Sequence, residues 1–220
     1  MIIKKRNFSK KVLDKPVSPA YVYYTKYGDK KIRKITIKTL LRKINNISLT
    51  KKWYQTEYHC DKHVVKMIIE YAQMLSTAHR IIDGEEVRVL SNTGKQMVTQ
   101  YKLSDHREKI LYKCAHINHP SNIWTRGNKE QYRYVLELWN SLNMQYTRRY
   151  GKVHRTFKKL CQYLNQFPKN IKETIYTMPP QCMPDDCKKE NDTIEAYRNF
   201  YKAHKREFAT WKNGTPTWFI

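Results

Sequence analysis

His63, Lys66 and Glu70 sit within the stretch CDKHVVKMIIEYAQMLSTAHRII at residues 60–82. Read as a helix at about 100° per residue, His63, Lys66, Glu70, Gln73 and Thr77 share one side. Val64, Val65, Ile68, Ile69, Ala72 and Leu75 share the side expected to face a core. An imidazole, an amine and a carboxylate set along two turns can exchange protons. In a chain this basic, such a face can work against a phosphodiester. The ordinary alternative is a solvated face with a Lys66–Glu70 ion pair, contributing about 0.3–0.5 kcal/mol. Asp61 stands at the expected N-cap, its carboxylate available to the free amides of the first turn.

Two further stretches carry polar groups at suggestive spacing. In HINHPSNIWTR, residues 116–126, Pro120 ends the preceding segment, and Asn118, Ser121 and Asn122 offer turn and cap oxygens. His119, Asn122 and Arg126 thereby gather at a corner of the kind that carries recognition groups. In RRYGKVHR, residues 148–155, a helix end, a glycine C-cap and a new helix start bring together Arg148, Arg149, Lys152, His154 and Arg155. Cation–dipole pairing accounts for two of these charges, and phosphate contact accounts for the cluster better.

Charge selects the partner. The chain has 43 Lys and Arg against 19 Asp and Glu, a net charge of +24 over 220 residues, which points to a polyanion. Residues 1–52 alone hold sixteen Lys and Arg against two acids, Asp14 and Asp29. The 17 Tyr and 5 Trp interleaved with these cations suit contact with bases and sugars. No apolar run approaches the ~20 residues of a spanning helix, so a nucleic acid, DNA or RNA, is expected rather than a membrane. The amino-terminal residues reach charge at once, without the apolar core of a secretory signal. Five scattered cysteines read as reduced thiols of an intracellular compartment. The Cys182–Cys187 spacing does not repeat as zinc pairs do, so no metal or cofactor is expected. The Lys-, Asn-, Ile- and Tyr-rich composition suits an AT-rich genome, with a virus-infected cell or a virion as one setting.

The elements that must position these groups are mainly helical. Residues 1–47 read as a basic arm with a β-hairpin around Gly28–Asp29, and residues 48–220 as one compact helical domain. Helices are expected over 61–82, 127–150, 153–166 and 193–208, the last capped by Asp192. A polar loop is expected at 83–94, and a short helix or irregular segment at 95–116. The long loop 167–191 carries four prolines.

DKHVVKMIIE at 61–70, NHP..W at 118–124 and RRYG at 148–151, in that order, resemble the pyrimidine-dimer DNA glycosylase family of the phage endonuclease V type. The Asp61-x-His63-x6-Glu70 spacing and the terminal Pro216-Thr217-Trp218-Phe219 are similar to the repair enzyme of that family. The corner and the long helix are similar to its wider relatives. The resemblance spans about residues 48–220 with large gaps. It implies a compact helical protein that kinks DNA and acts on a damaged pyrimidine. An amine attacks the deoxyribose C1′, and a carboxylate stabilises the cationic sugar and handles protons. Glu70 would be that carboxylate, with His63, Arg126, Arg149 and His154 contacting DNA. The family's nucleophile is its amino-terminal α-amine. Here residues 1–60 precede the helix, so Lys66 is the alternative amine. A transferase on a modified pyrimidine and a non-catalytic nucleic-acid-binding or packaging protein are the competing functions.

Overall fold

The computed structural model describes residues 56–91 and 93–220, all within a compact unit spanning Tyr54–Ile220. The expected amino-terminal hairpin and the boundary near residue 47 lie outside the described residues. The architecture is mainly α, with five α-helices and one two-stranded antiparallel sheet among the described residues. In chain order these are α1 (Asp61–Asp83), β1 (Glu85–Leu90), β2 (Met97–Lys102), α2 (Pro120–Thr125), α3 (Lys129–Tyr150), α4 (Arg155–Leu164) and α5 (Thr193–His204).

Val64, Ile68, Ala72 and Leu75 form the fully buried stripe of α1. They meet α3, whose Tyr132, Val135, Leu136, Trp139, Leu142 and Tyr146 are buried at the expected helical spacing, and α4 through Phe157, Leu160 and Leu164. Trp139 fixes the crossing: its ring lies 4.7 Å from that of Phe157 and its Nε1–H donates to the Ile68 carbonyl at 2.9 Å. The buried stripe is narrower than expected. Val65 and Ile69 lie a further step around the helix, beyond the reach of α3 and α4, and are 38% and 39% exposed.

Polar residues join the remaining pieces. Asn128 caps α3 by accepting from the Gln131 amide, and Gly151, at φ 67°, closes it in the left-handed conformation that disfavours a side chain. The expected loop at 83–94 is instead the first half of a hairpin, in which Glu85 pairs with Lys102 and Leu90 with Met97. Glu85, Glu86 and Arg88 alternate with Val87 and Val89, so the strand pattern is short and half masked by charge. Gly84 makes this junction possible: a Cβ there would stand 2.4 Å from the Arg80 carbonyl oxygen and 2.9 Å from that of Lys102. Arg80 then organises the chain beyond β2. Its guanidinium donates to the carbonyls of Tyr101, Glu108, Leu111 and Tyr112 and to the Glu108 carboxylate.

The start of α1 is held by the carboxy-terminal segment. Cys60, in extended conformation, is the N-cap, so Asp61 is the first helical residue rather than the cap. Its carboxylate instead accepts from Arg149 Nη1 at 3.0 Å and from the Lys212 amide at 2.9 Å. Around this point Cys60, Trp211 and Phe219 form an apolar cluster with Tyr201, Phe208 and Trp218. All five cysteines are free thiols. No helix among the described residues is long and apolar enough to cross a membrane.

Candidate functional site

The polar stripe of α1 is exposed at Lys66, partly covered at His63, Glu70 and Gln73, and buried at Thr77. Lys66 Nζ lies 2.9 Å from Glu70 Oε1, with the two side chains 61% and 39% exposed. One turn earlier, His63 Nδ1 shares a hydrogen bond with the Tyr201 hydroxyl of α5. Phe208 sets its ring edge against the same imidazole. Helix α5 ends at His204, four residues earlier than expected, and the turn that follows brings Phe208 to His63. Burial is the main reason that His63 is held down at about 4, and the ammonium groups of Lys66, Lys205 and Lys62 add to it while Glu70 opposes them. The ring is therefore neutral at pH 7. Burial also raises the Tyr201 phenol, so it keeps its proton and can donate to Nδ1. The proton of the imidazole then sits on Nε2.

The middle of the stripe borders a group of phenols. Tyr71, beside Glu70 on α1, is pushed well up by burial and lies within electrostatic reach of Tyr197, Tyr134, Tyr201 and Glu70. The far end of the stripe meets the corner. Thr77 Oγ1 accepts the Ala115 amide at 3.2 Å, and Asn122 Nδ2 donates to the Ala115 carbonyl at 2.8 Å. Asn122 is buried, and among the described residues its Oδ1 meets no partner. His119 is exposed and acts as the N-cap of α2, with Nδ1 accepting from the Ser121 amide at 3.2 Å. Arg126 donates to the Ile117 carbonyl at 2.8 Å, and burial lowers its guanidinium from the ordinary value.

The 148–155 cluster divides in two. Arg148, Lys152 and Arg155 are exposed, as are Lys158 and Lys159 further along α4. Arg149 turns inward: its fully buried guanidinium bonds Asp61 and the carbonyls of His59 and Glu57. His154 also turns inward, capping α4 by accepting the Thr156 amide, with its ring edge-on to Tyr146. These two side chains, expected at a phosphate surface, are engaged in the interior. Through Arg149 they tie the cationic corner to the first turn of α1.

Tyr201, Lys205, Tyr197 and Tyr71 belong to this region and were not among the expected site residues. Tyr197 and Tyr201 are spaced four apart on α5 and Lys205 follows its end, but no local pattern links them to α1. For metal binding, Asp186, Cys187 and His204 have donor atoms within 4.8 Å of one another. The Asp186–His204 separation of 4.0 Å is that of a loose ion pair.

Compared with known proteins, the chain matches no family model, no curated protein and no solved structure.

Proposed function

We propose that this chain acts on a damaged or modified pyrimidine in DNA as a glycosylase with an associated lyase step. The observation that carries this reading is Lys66 Nζ at 2.9 Å from Glu70 Oε1, one turn from a neutral His63, on an outward face of a chain with net charge +24. In the proposed chemistry, Lys66 gives a proton to Glu70 and attacks C1′ of the target nucleotide. The glycosidic bond breaks, and its electron pair leaves with the base, which takes up the proton from Glu70. The second amine proton passes to O4′ as the sugar opens, leaving a protonated imine between Nζ and C1′. Glu70, again a carboxylate, removes a C2′ proton and the 3′ phosphate departs. The carboxylate also stabilises positive charge developing on the sugar. Exposed Arg148, Lys152 and Arg155 supply phosphate contacts.

A second reading, DNA binding without catalysis, is favoured by the same pair seen differently: an exposed i,i+4 ion pair is ordinary on a solvated helix. Borohydride reduction in the presence of a thymine-dimer duplex separates the two. The first reading expects a covalent protein–DNA adduct that is lost in Lys66→Ala and stalled in Glu70→Gln. Binding that survives Glu70→Ala and never yields an adduct, on either a lesion or an abasic duplex, leaves the second.

A further inference from the structure

The strap after α4 and the outer side of α5 expose aromatic and apolar side chains where a solvated surface needs none. Tyr176 and Tyr197 are each 38% exposed, and Ile123, Ile175 and Met178 are exposed beside them in sequence or across Trp124. Buried aromatics of the core, such as Tyr132 and Trp139, have no exposed surface at all.

These rings are held in place. Trp124 stands edge-to-face with Tyr134, centroids 5.4 Å apart, and with Tyr176 at 6.1 Å. Its Nε1–H donates to the Thr177 carbonyl at 3.0 Å, and Asn128 Nδ2 donates to that of Ile175 at 2.9 Å, so Tyr176 is pinned on one side to α2 and on the other to the start of α3. The Tyr134 phenol lies within electrostatic reach of both Tyr176 and Tyr197. Tyr197 is one helical turn from Tyr201, whose hydroxyl meets His63. The aromatic row therefore runs up to His63, which has Lys62, Lys66 and Lys205 within electrostatic reach.

We propose that this row is a stacking surface for unpaired nucleobases, with the strand's phosphates drawn to Lys62, Lys66 and Lys205. The proposal rests on the reading that the partner is a nucleic acid, and it adds that an unpaired stretch, rather than a duplex groove, occupies this face. Charge complementarity selects that occupant. Two partly exposed tyrosines, Tyr176 and Tyr197, beside three cations match the alternation of base and phosphate along a single strand. An apolar protein partner would gain nothing from those lysines.

The test is fluorescence anisotropy with the full chain and three labelled probes: oligothymidylate, an abasic deoxyribose-phosphate strand of equal length, and the matching duplex. Tighter binding of oligothymidylate than of the abasic strand is expected. That preference should fall about tenfold in Tyr197→Ala or Tyr176→Ala and persist in the phenylalanine variants, which keep the stacking face. The abasic strand carries the same charge, so contributions from residues 1–52 cancel in the ratio. Equal binding of base-bearing and abasic strands, unchanged by the tyrosine variants, overturns the stacking surface and leaves the glycosylase reading to its own adduct assay. Failure of every probe to bind overturns both. Tyrosine variants that change the sedimentation of the free chain without changing the ratio identify the face as a self-contact, which also overturns the proposal. Both tyrosines are partly exposed, so unchanged far-ultraviolet circular dichroism is expected throughout.

Discussion

His63 on α1 and Tyr201 on α5, 138 positions apart, are joined through Nδ1 and the phenol oxygen, and three lysines lie within electrostatic reach of the same imidazole. The ring is thus a local gauge of the charge around Lys66 and Glu70. Its titration, followed by the ring-proton resonances, is expected near 4. Lys66→Gln and Lys205→Gln should each raise that midpoint toward 6.5, because each removes a cation that opposes protonation. Glu70→Gln should lower it. Midpoints that stay fixed in all three variants would show that His63 does not sense the Lys66–Glu70 pair.

Arg149 offers a test of fold against surface. Its guanidinium holds Asp61 and two carbonyls from the interior. Arg149→Ala is therefore expected to cost about 3–5 kcal/mol, the usual effect of breaking a buried, hydrogen-bonded charge pair. Lysine should rescue little, since it cannot reproduce the planar fork. Denaturant unfolding reads this directly, and a loss below about 1 kcal/mol would show that the clamp matters little.

Exposed cations should behave differently. Arg148→Ala, Lys152→Ala and Arg155→Ala are expected to leave stability nearly unchanged. Each should reduce the salt dependence of DNA binding by about one unit of log–log slope for every phosphate it ceases to neutralise. Binding isotherms at several salt concentrations give the slope. An unchanged slope in the triple variant would take this cluster out of the DNA surface.

Acid should loosen the body before its carboxylates protonate. His79 Nδ1 accepts from Arg107 Nη1 and its Nε2–H donates to Tyr132 at 2.9 Å, an arrangement that only the neutral ring can make. Burial, with Arg107 beside it, holds the imidazole at about 4 instead of 6.5. Between those values the unfolded chain binds the extra proton. Stability is therefore full above pH 6.5 and falls as pH drops toward 4, by on the order of 3 kcal/mol for this residue. His59, held at about 4 mainly by burial, adds in the same direction. Unfolding free energies between pH 4 and 7 should show the slope, and His79→Gln should flatten it.

The helices were legible because their buried stripes repeat over several turns. Tyr132 through Tyr146 on α3 is the clearest case. The β1–β2 hairpin was not, since only Val87 and Val89 mark the first strand between charged neighbours. Val65 and Ile69 were misassigned for a related reason: hydropathy gives the width of an apolar face, but the neighbouring helices decide how much of it is covered. The stripe His63–Lys66–Glu70 could be read from local spacing alone. Its companions Tyr201 and Lys205 could not, because nothing local couples residue 63 to residue 201. Arg149 and His154 show the converse limit, since a run of cations does not reveal which side chains turn inward. The capping role of Asp61 was displaced by a partner eighty-eight positions away.

The Asp61 amide donates to the Thr210 carbonyl, Trp211 donates to the Tyr58 carbonyl, and the ring of Trp218 packs near that of Tyr58. The first turn of α1 is therefore completed by residues that a ribosome adds some hundred and fifty positions later. During synthesis Cys60 and the first turn of α1 lack their cover until residues 210–219 have emerged. The body should become protease-resistant in one late step rather than helix by helix.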